Sequence, residues 1–150
     1  MAQQEGKKVV AISGGFDPIQ DGHIAYMEEA LTLGDFLLVI LTRDDQLISK
    51  KGKCWIPFER RRYMLEWILQ GKGKDFMVVS NIDHDITSRQ SLKMYLPIHI
   101  FAKGGDAWDA DNLPERKVCE ELGIKIIFGI GGFNKDRGSS DVKDWEKENI

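Results

Sequence analysis

Ser13-Gly14-Gly15-Phe16-Asp17-Pro18-Ile19-Gln20-Asp21-Gly22-His23 is the stretch whose reading decides the fold. The run before it, Lys8-Val9-Val10-Ala11-Ile12, is short, apolar and β-branched, which predicts a strand. After it, Ile24, Met27, Ala30 and Leu31 recur like one face of a helix. The stretch is therefore the loop that joins a first strand to a first helix. In an open α/β sheet, ligands bind at such loops, outside the carboxyl ends of the strands. Gly14 and Gly15 let backbone N–H groups approach a ligand closely. The helix opening near Gly22 and His23 aims its positive end at the same place, which suits a phosphate. His23 adds a further donor at that mouth, with a positive charge when protonated.

Working outward, strand-like and helix-like stretches alternate along all 150 residues. Gly34 is placed to end the first helix in the left-handed conformation. Phe36 to Leu41 reads as a strand buried on both faces, and Arg43 to Lys53 as a polar loop. Pro57 to Gln70 reads as a long helix whose Tyr63, Met64, Trp67 and Ile68 share a face, with Trp67 in the core. Phe76 to Val79 is a third strand, Ser88 to Leu96 a short helix stopped by Pro97, and Ile98 to Ala102 a fourth strand. Pro114 to Leu122 is a helix with Gly123 past its end, and Ile124 to Ile130 a fifth strand. Ser139-Ser140-Asp141 looks like the start of a last short helix carrying Val142 and Trp145. The alternation predicts one domain over residues 1–150, a doubly wound five-stranded parallel sheet with a short C-terminal helix.

Composition narrows the class. The hydrophobic share of 42% and charged share of 30% fit a soluble globular chain. No apolar run approaches a membrane span, and Met1 to Lys8 lacks the apolar segment of a signal peptide. The expectation is a cytoplasmic protein with no membrane partner. A net charge of −3 gives no reason to expect nucleic acid. Cys54 and Cys119 lie far apart without metal-ligand spacing, and read as two reduced thiols. No residues are assigned to a metal site.

The quoted loop resembles the signature of the cytidylyltransferase-like nucleotidyltransferases, G-x-F-D-x-x-H-x-G-H. Gly14, Phe16, Asp17, Gly22 and His23 match it, and Gln20 stands where the first histidine is expected. The resemblance implies a Rossmann-like fold and a nucleotide phosphate gripped by His23, which would stabilise charge as the α-phosphate is attacked. The Phe-Asp pair shapes the loop in that family, and a structural role for Asp17 is favoured over metal ligation. Gln20 can donate to a phosphate oxygen but cannot become positive. Charge-assisted bonds are roughly twice as strong as neutral ones. Losing a transition-state donor costs on the order of 10²–10³ in rate.

Three further segments extend the resemblance. Between Lys50 and Arg62 six basic residues stand against one acid, a net of +5 in a chain of −3. A solvated face is the ordinary reading of such a run. Here it lies beside the motif loop, where lysines can close over a triphosphate. Lys51-Gly52 followed by Pro57-Phe58-Glu59-Arg60-Arg61 matches the family's K-G and P-x-E-x-R, so Lys51, Lys53 and Arg61 are candidates. Lys103-Gly104-Gly105-Asp106 resembles a segment of ADP-heptose-type adenylyltransferases and related cytidylyltransferases that binds nucleotide and substrate. Lys103 would meet a phosphate, with Gly105 in the loop and Asp106 accepting from a hydroxyl or amine. Ser139 and Ser140 match the last two hydroxyls of the family's S-T-T-x-I motif, with Gly138 in the first place.

The sequence thus predicts an enzyme that transfers CMP or AMP from CTP or ATP to a phosphorylated sugar or polyol and releases pyrophosphate. Mg²⁺ arrives with the triphosphate. His23, Gln20, Lys51 and Arg61 are the expected catalytic residues, and Gly14, Gly15, Phe16, Asp17 and Gly22 help to bind the nucleotide. Dimerisation is common in the family, although no segment marks an interface. The alternative is a nucleotide-binding or regulatory protein on the same fold, weakened in catalysis by Gln20. The base, the acceptor and the effect of Gln20 stay open at this stage.

Overall fold

A computed structural model describes residues 6–85, 87–95, 97–104 and 112–131. Five strands form one sheet: β1 Val9–Gly14, β2 Phe36–Leu41, β3 Asp75–Ser80, β4 Ile100–Gly104 and β5 Lys125–Ile130. Their spatial order is β3-β2-β1-β4-β5, with every neighbouring pair parallel. The direction of winding reverses between β1 and β4, so the loops after those two strands flank the switch point. This is the doubly wound parallel sheet that the alternating pattern predicts.

Side chains alternate across each strand, which gives the sheet two apolar faces. Val10, Ile12, Leu37, Val39 and Leu41 pack on one face beneath α1 (Asp21–Leu31) and α3 (Phe58–Gln70). Val9, Ala11, Leu38, Ile40 and Phe101 pack on the other beneath α4 (Arg89–Met94) and α5 (Arg116–Leu122). Six buried residues in a row make β2 the centre of this double core.

Four local expectations are corrected. Asp44–Lys51 is not loop but a helix, α2, closed by Gly52 in the left-handed conformation at φ 84. Its sequence, DDQLISKK, is too polar to announce itself. Only Gln46 and Leu47 are buried, so α2 owes its place to tertiary partners rather than to an apolar stripe. Trp67 is 66% exposed instead of being in the core. The inward stripe of α3 is Arg61, Leu65 and Leu69, with Phe58 and Ile68 packed beside it. Pro57 caps this helix rather than lying in its first turn. Gly34 does not adopt a positive φ. It is glycine for lack of space: a Cβ there would stand 2.6 Å from the Lys8 carbonyl oxygen. By contrast, Gly123 does cap α5 in the left-handed conformation, at φ 72. No helix among the described residues is long and apolar enough to cross a membrane.

Candidate functional site at the switch point

A pocket of about 290 Å³ opens at the carboxyl edge of the sheet. Its floor is Ser13, Gly14 and Gly15 at the end of β1, with Thr42 just past β2. Lys50 and Lys51 of α2 stand on one side, and Thr87 and Ser88, before α4, on another. Lys103 at the end of β4 and Glu115 before α5 complete the wall. The fold thus gathers Gly14, Gly15, Lys51 and Lys103 into one place from three separate segments.

His23 is not among the residues lining this pocket, although Lys51, which lines it, is near enough for its charge to act on the imidazole. The Gln20 backbone N–H donates to His23 Nδ1 at 3.0 Å. A neutral imidazole that accepts at Nδ1 carries its proton on Nε2. Burial, helped by the nearby Lys51 charge, holds the imidazole below its ordinary pKa. The hydrogen bond accepted at Nδ1 and the lowered pKa both favour the neutral ring, with Nε2–H left as its donor. The Gln20 Oε1 is buried with no hydrogen-bond partner among the described residues. Gly22 is the second residue of α1.

Two motif residues prove to be scaffold. Phe16 is 3% exposed at φ 48, with its ring edge-on to His23 at 5.1 Å between centroids. A Cβ on Gly14 would come within 3.2 Å of that ring, so Gly14 and Phe16 are packed as a unit. The Asp17 carboxylate accepts from the Trp55 and Ile56 backbone N–H groups, at 2.8 and 2.7 Å. Both oxygens are engaged, so Asp17 latches the motif loop to the segment before α3. Phe16 and Asp17 thus both shape the loop, the role that the sequence reading favoured for Asp17.

Arg61 departs furthest from expectation. It is fully buried. Its Nε donates to the Ile56 carbonyl at 2.7 Å, and Nη1 to the Gly15 and Thr42 carbonyls at 2.9 and 2.7 Å. Nη2 donates to Asp44 Oδ1 at 2.6 Å. With its fork occupied in this way, the guanidinium holds the loops after β1 and β2 together from below. In this arrangement it positions the two loops that carry the Gly15 and Thr42 carbonyls. Lys53 also lies outside the pocket, with Nζ 3.8 Å over the Trp55 ring.

The sequence reading missed the roles of Thr87, Ser88 and Glu115. Glu115 had a visible signal, as an acid following Leu113-Pro114 just before a helix, but that pattern looks the same as an ordinary first-turn acid. Gly105, Asp106, Ser139 and Ser140, with the last helix, lie outside the described residues.

These features define a class: an open parallel α/β sheet with a glycine-floored, lysine-walled pocket at its switch point, suited to a phosphate ligand. Residues 11–127 match the family model described as cytidylyltransferase-like, and the chain belongs to that family. It is 42% identical over 150 residues to the bifunctional protein HldE of Haemophilus influenzae (strain PittEE), covering 97% of this chain and 29% of that one. Against HldE of Methylococcus capsulatus it is 32% identical over 139 residues, covering 90% of this chain and 28% of the other. The chain thus spans less than a third of the length of these two relatives. A shorter match, 47% over 60 residues, links 40% of this chain to 38% of the FAD synthase of Ferroglobus placidus. The fold is shared with the lipopolysaccharide core biosynthesis protein from Thermoplasma volcanium, at a TM-score of 0.65 and 22% identity over 82% of this chain and 96% of that one.

Proposed function

We propose that the chain is a nucleotidyltransferase acting on a small phosphorylated sugar or polyol, with CTP or ATP as donor. An oxygen of the acceptor's phosphate attacks the α-phosphorus and forms a new P–O–P bond. The bond from the α-phosphorus to its bridging oxygen breaks, and the electron pair leaves on pyrophosphate. The attacking oxygen is already ionised near neutral pH, so no general base is required. The work left to the protein is positioning and charge neutralisation.

The observation that carries this reading is the convergence of Lys50, Lys51 and Lys103 on one glycine-floored pocket beside the amino end of α1. In the proposed complex, Gly14 and Gly15 lie against the phosphates, His23 Nε2 donates to a phosphate oxygen, and Lys51 neutralises developing charge. Mg²⁺ would arrive with the triphosphate and help to neutralise its charge.

The test is pyrophosphate release from ATP and from CTP with Mg²⁺ and a panel of sugar and polyol phosphates. Turnover by the native chain that falls at least 100-fold in His23→Ala is the expected result, on the order set for a lost transition-state donor. Tight binding of both nucleotides without turnover would instead make this a nucleotide-binding protein. A rise from near zero in Gln20→His would trace that to Gln20.

A further inference from the structure

The pocket has an acidic wall that the transfer as proposed does not use. Glu115 is 4% exposed and lines the pocket directly. Its Oε2 is buried with no hydrogen-bond partner among the described residues. A buried carboxylate oxygen with no donor costs free energy, and native folds rarely leave one so unless something else supplies the donor. Burial pushes the Glu115 carboxyl above its ordinary pKa, while the Lys103 charge pulls it back down. Lys103 shows the converse, lowered by burial and raised by Glu115. A ligand that donates to Oε2 would satisfy an oxygen for which the described residues supply no donor.

The placement of the site on the sheet says which ligand. The amino end of α1, where the triphosphate is proposed to rest, belongs to the α1–α3 face. The wall carrying Thr87, Ser88 and Glu115 comes from the segments leading into α4 and α5, which cover the other face. Gly14 and Gly15 lie between them. In-line displacement at phosphorus sets the attacking and leaving oxygens on opposite sides. With pyrophosphate departing along α1, the attacking phosphomonoester enters from the Glu115 side. Its phosphate then meets Lys50, Lys51 and Lys103, and its far end meets Glu115.

We propose that Glu115 selects the acceptor, its carboxylate taking a hydrogen bond from a hydroxyl or ammonium group on the non-phosphate end of a small phosphomonoester. The inference rests on the nucleotidyl-transfer reading and deepens it. Sites built to bond a polar group reject analogues that lack it more strongly than apolar sites reject a missing methylene. An alkyl phosphate of the same size is therefore a poor ligand.

The test is calorimetry on the full chain loaded with Mg²⁺ and α,β-methylene ATP or CTP, so that binding is read without turnover. Glycerol 3-phosphate, ribose 5-phosphate and phosphoethanolamine are compared with ethyl phosphate, which has no donor. At least one donor-bearing ester is expected to bind about tenfold or more tightly than ethyl phosphate, the scale of a hydrogen bond to a charged group. Which ester is preferred distinguishes hydroxyl from ammonium. Glu115→Ala should erase the preference while nucleotide affinity stays within about twofold, and Glu115→Asp should keep part of it. Equal affinities for all four esters in the native chain, or no binding of any, overturn the proposal. So does a preference that survives in Glu115→Ala, or a nucleotide affinity that falls there in its place. Should Glu115→Ala not fold, the native comparison decides alone. Failure of pyrophosphate release counts against the transferase reading, whereas ester binding decides Glu115 separately.

Discussion

Arg61 Nη1 donates to the Gly15 carbonyl at 2.9 Å, tying the inward face of α3 to the glycine pair at the end of β1. The same guanidinium reaches the Thr42 carbonyl past β2 and the Ile56 carbonyl before α3. Three loops that must sit at one sheet edge thus share a single buried cation, whose charge Asp44 balances.

Arg61→Lys should therefore destabilise the fold. An ammonium has three donors and no fork, so it cannot serve three carbonyls and a carboxylate together. At least one buried carbonyl loses its partner, at a cost of about 2–4 kcal/mol. Urea denaturation measures the loss, and the affinity of the folded fraction for ATP or CTP should fall with it. Arg62→Lys is the control. That side chain is 43% exposed and pairs only with Glu59 at the surface. Its replacement should move stability by less than about 0.5 kcal/mol.

Asp17→Asn keeps size and removes one acceptor. Each Asp17 oxygen takes a backbone N–H, from Trp55 or Ile56, so the new amide must set a donor against a donor. The expected cost is about 1–3 kcal/mol. Hydrogen exchange at the Trp55 and Ile56 amides should accelerate, and unchanged protection of both would refute the latch.

His23 gives stability a pH dependence of known sign. Burial, with the Lys51 charge second, lowers its folded-state pKa below the ordinary 6.5. As pH falls past 6.5, the unfolded chain takes up the proton first. The stability that the neutral imidazole contributes is complete above 6.5 and is lost as pH drops from there through the folded-state value. Titration of the His23 ring by NMR should give a midpoint below 6.5, and Lys51→Ala should move it upward by a smaller amount than burial imposes. A native midpoint at or above 6.5 would show that the ring is not held neutral.

Gly34→Ala tests close approach rather than backbone freedom. The added Cβ would meet the Lys8 carbonyl oxygen at 2.6 Å and Val10 Cγ2 at 2.7 Å. That carbonyl also accepts from the Asp35 and Phe36 N–H groups, so it cannot give way cheaply. A loss of about 1–3 kcal/mol is expected on thermal or urea unfolding. Gly71→Ala meets nothing within 4 Å at φ −82 and should be neutral or slightly stabilising.

What the sequence determined by itself was whatever is encoded over neighbouring residues. Val9–Ile12 and Phe36–Leu41 are apolar runs, and α1 has a helical spacing, so the parallel α/β order was legible. The motif loop was legible too, because Gly14, Phe16, Asp17, Gly22 and His23 lie within ten residues of one another. The tertiary structure alone decided how distant polar groups are used. Asp17 reaches 38 residues along the chain to Trp55, and Arg61 reaches 46 back to Gly15. Neither partnership leaves a local pattern, so the residues that Asp17 and Arg61 brace could not be named from the sequence. The helix α2, polar at six of its eight positions, is held by Gln46 donating to the Asn81 side chain and the Asp83 carbonyl, and by Leu47 beneath Gly15. Glu115 stands out only once the fold buries it in the wall of the pocket that Lys103 also lines. Burial and long-range hydrogen bonding are properties of the packed sheet edge, where segments far apart in sequence meet, and no window of sequence contains them.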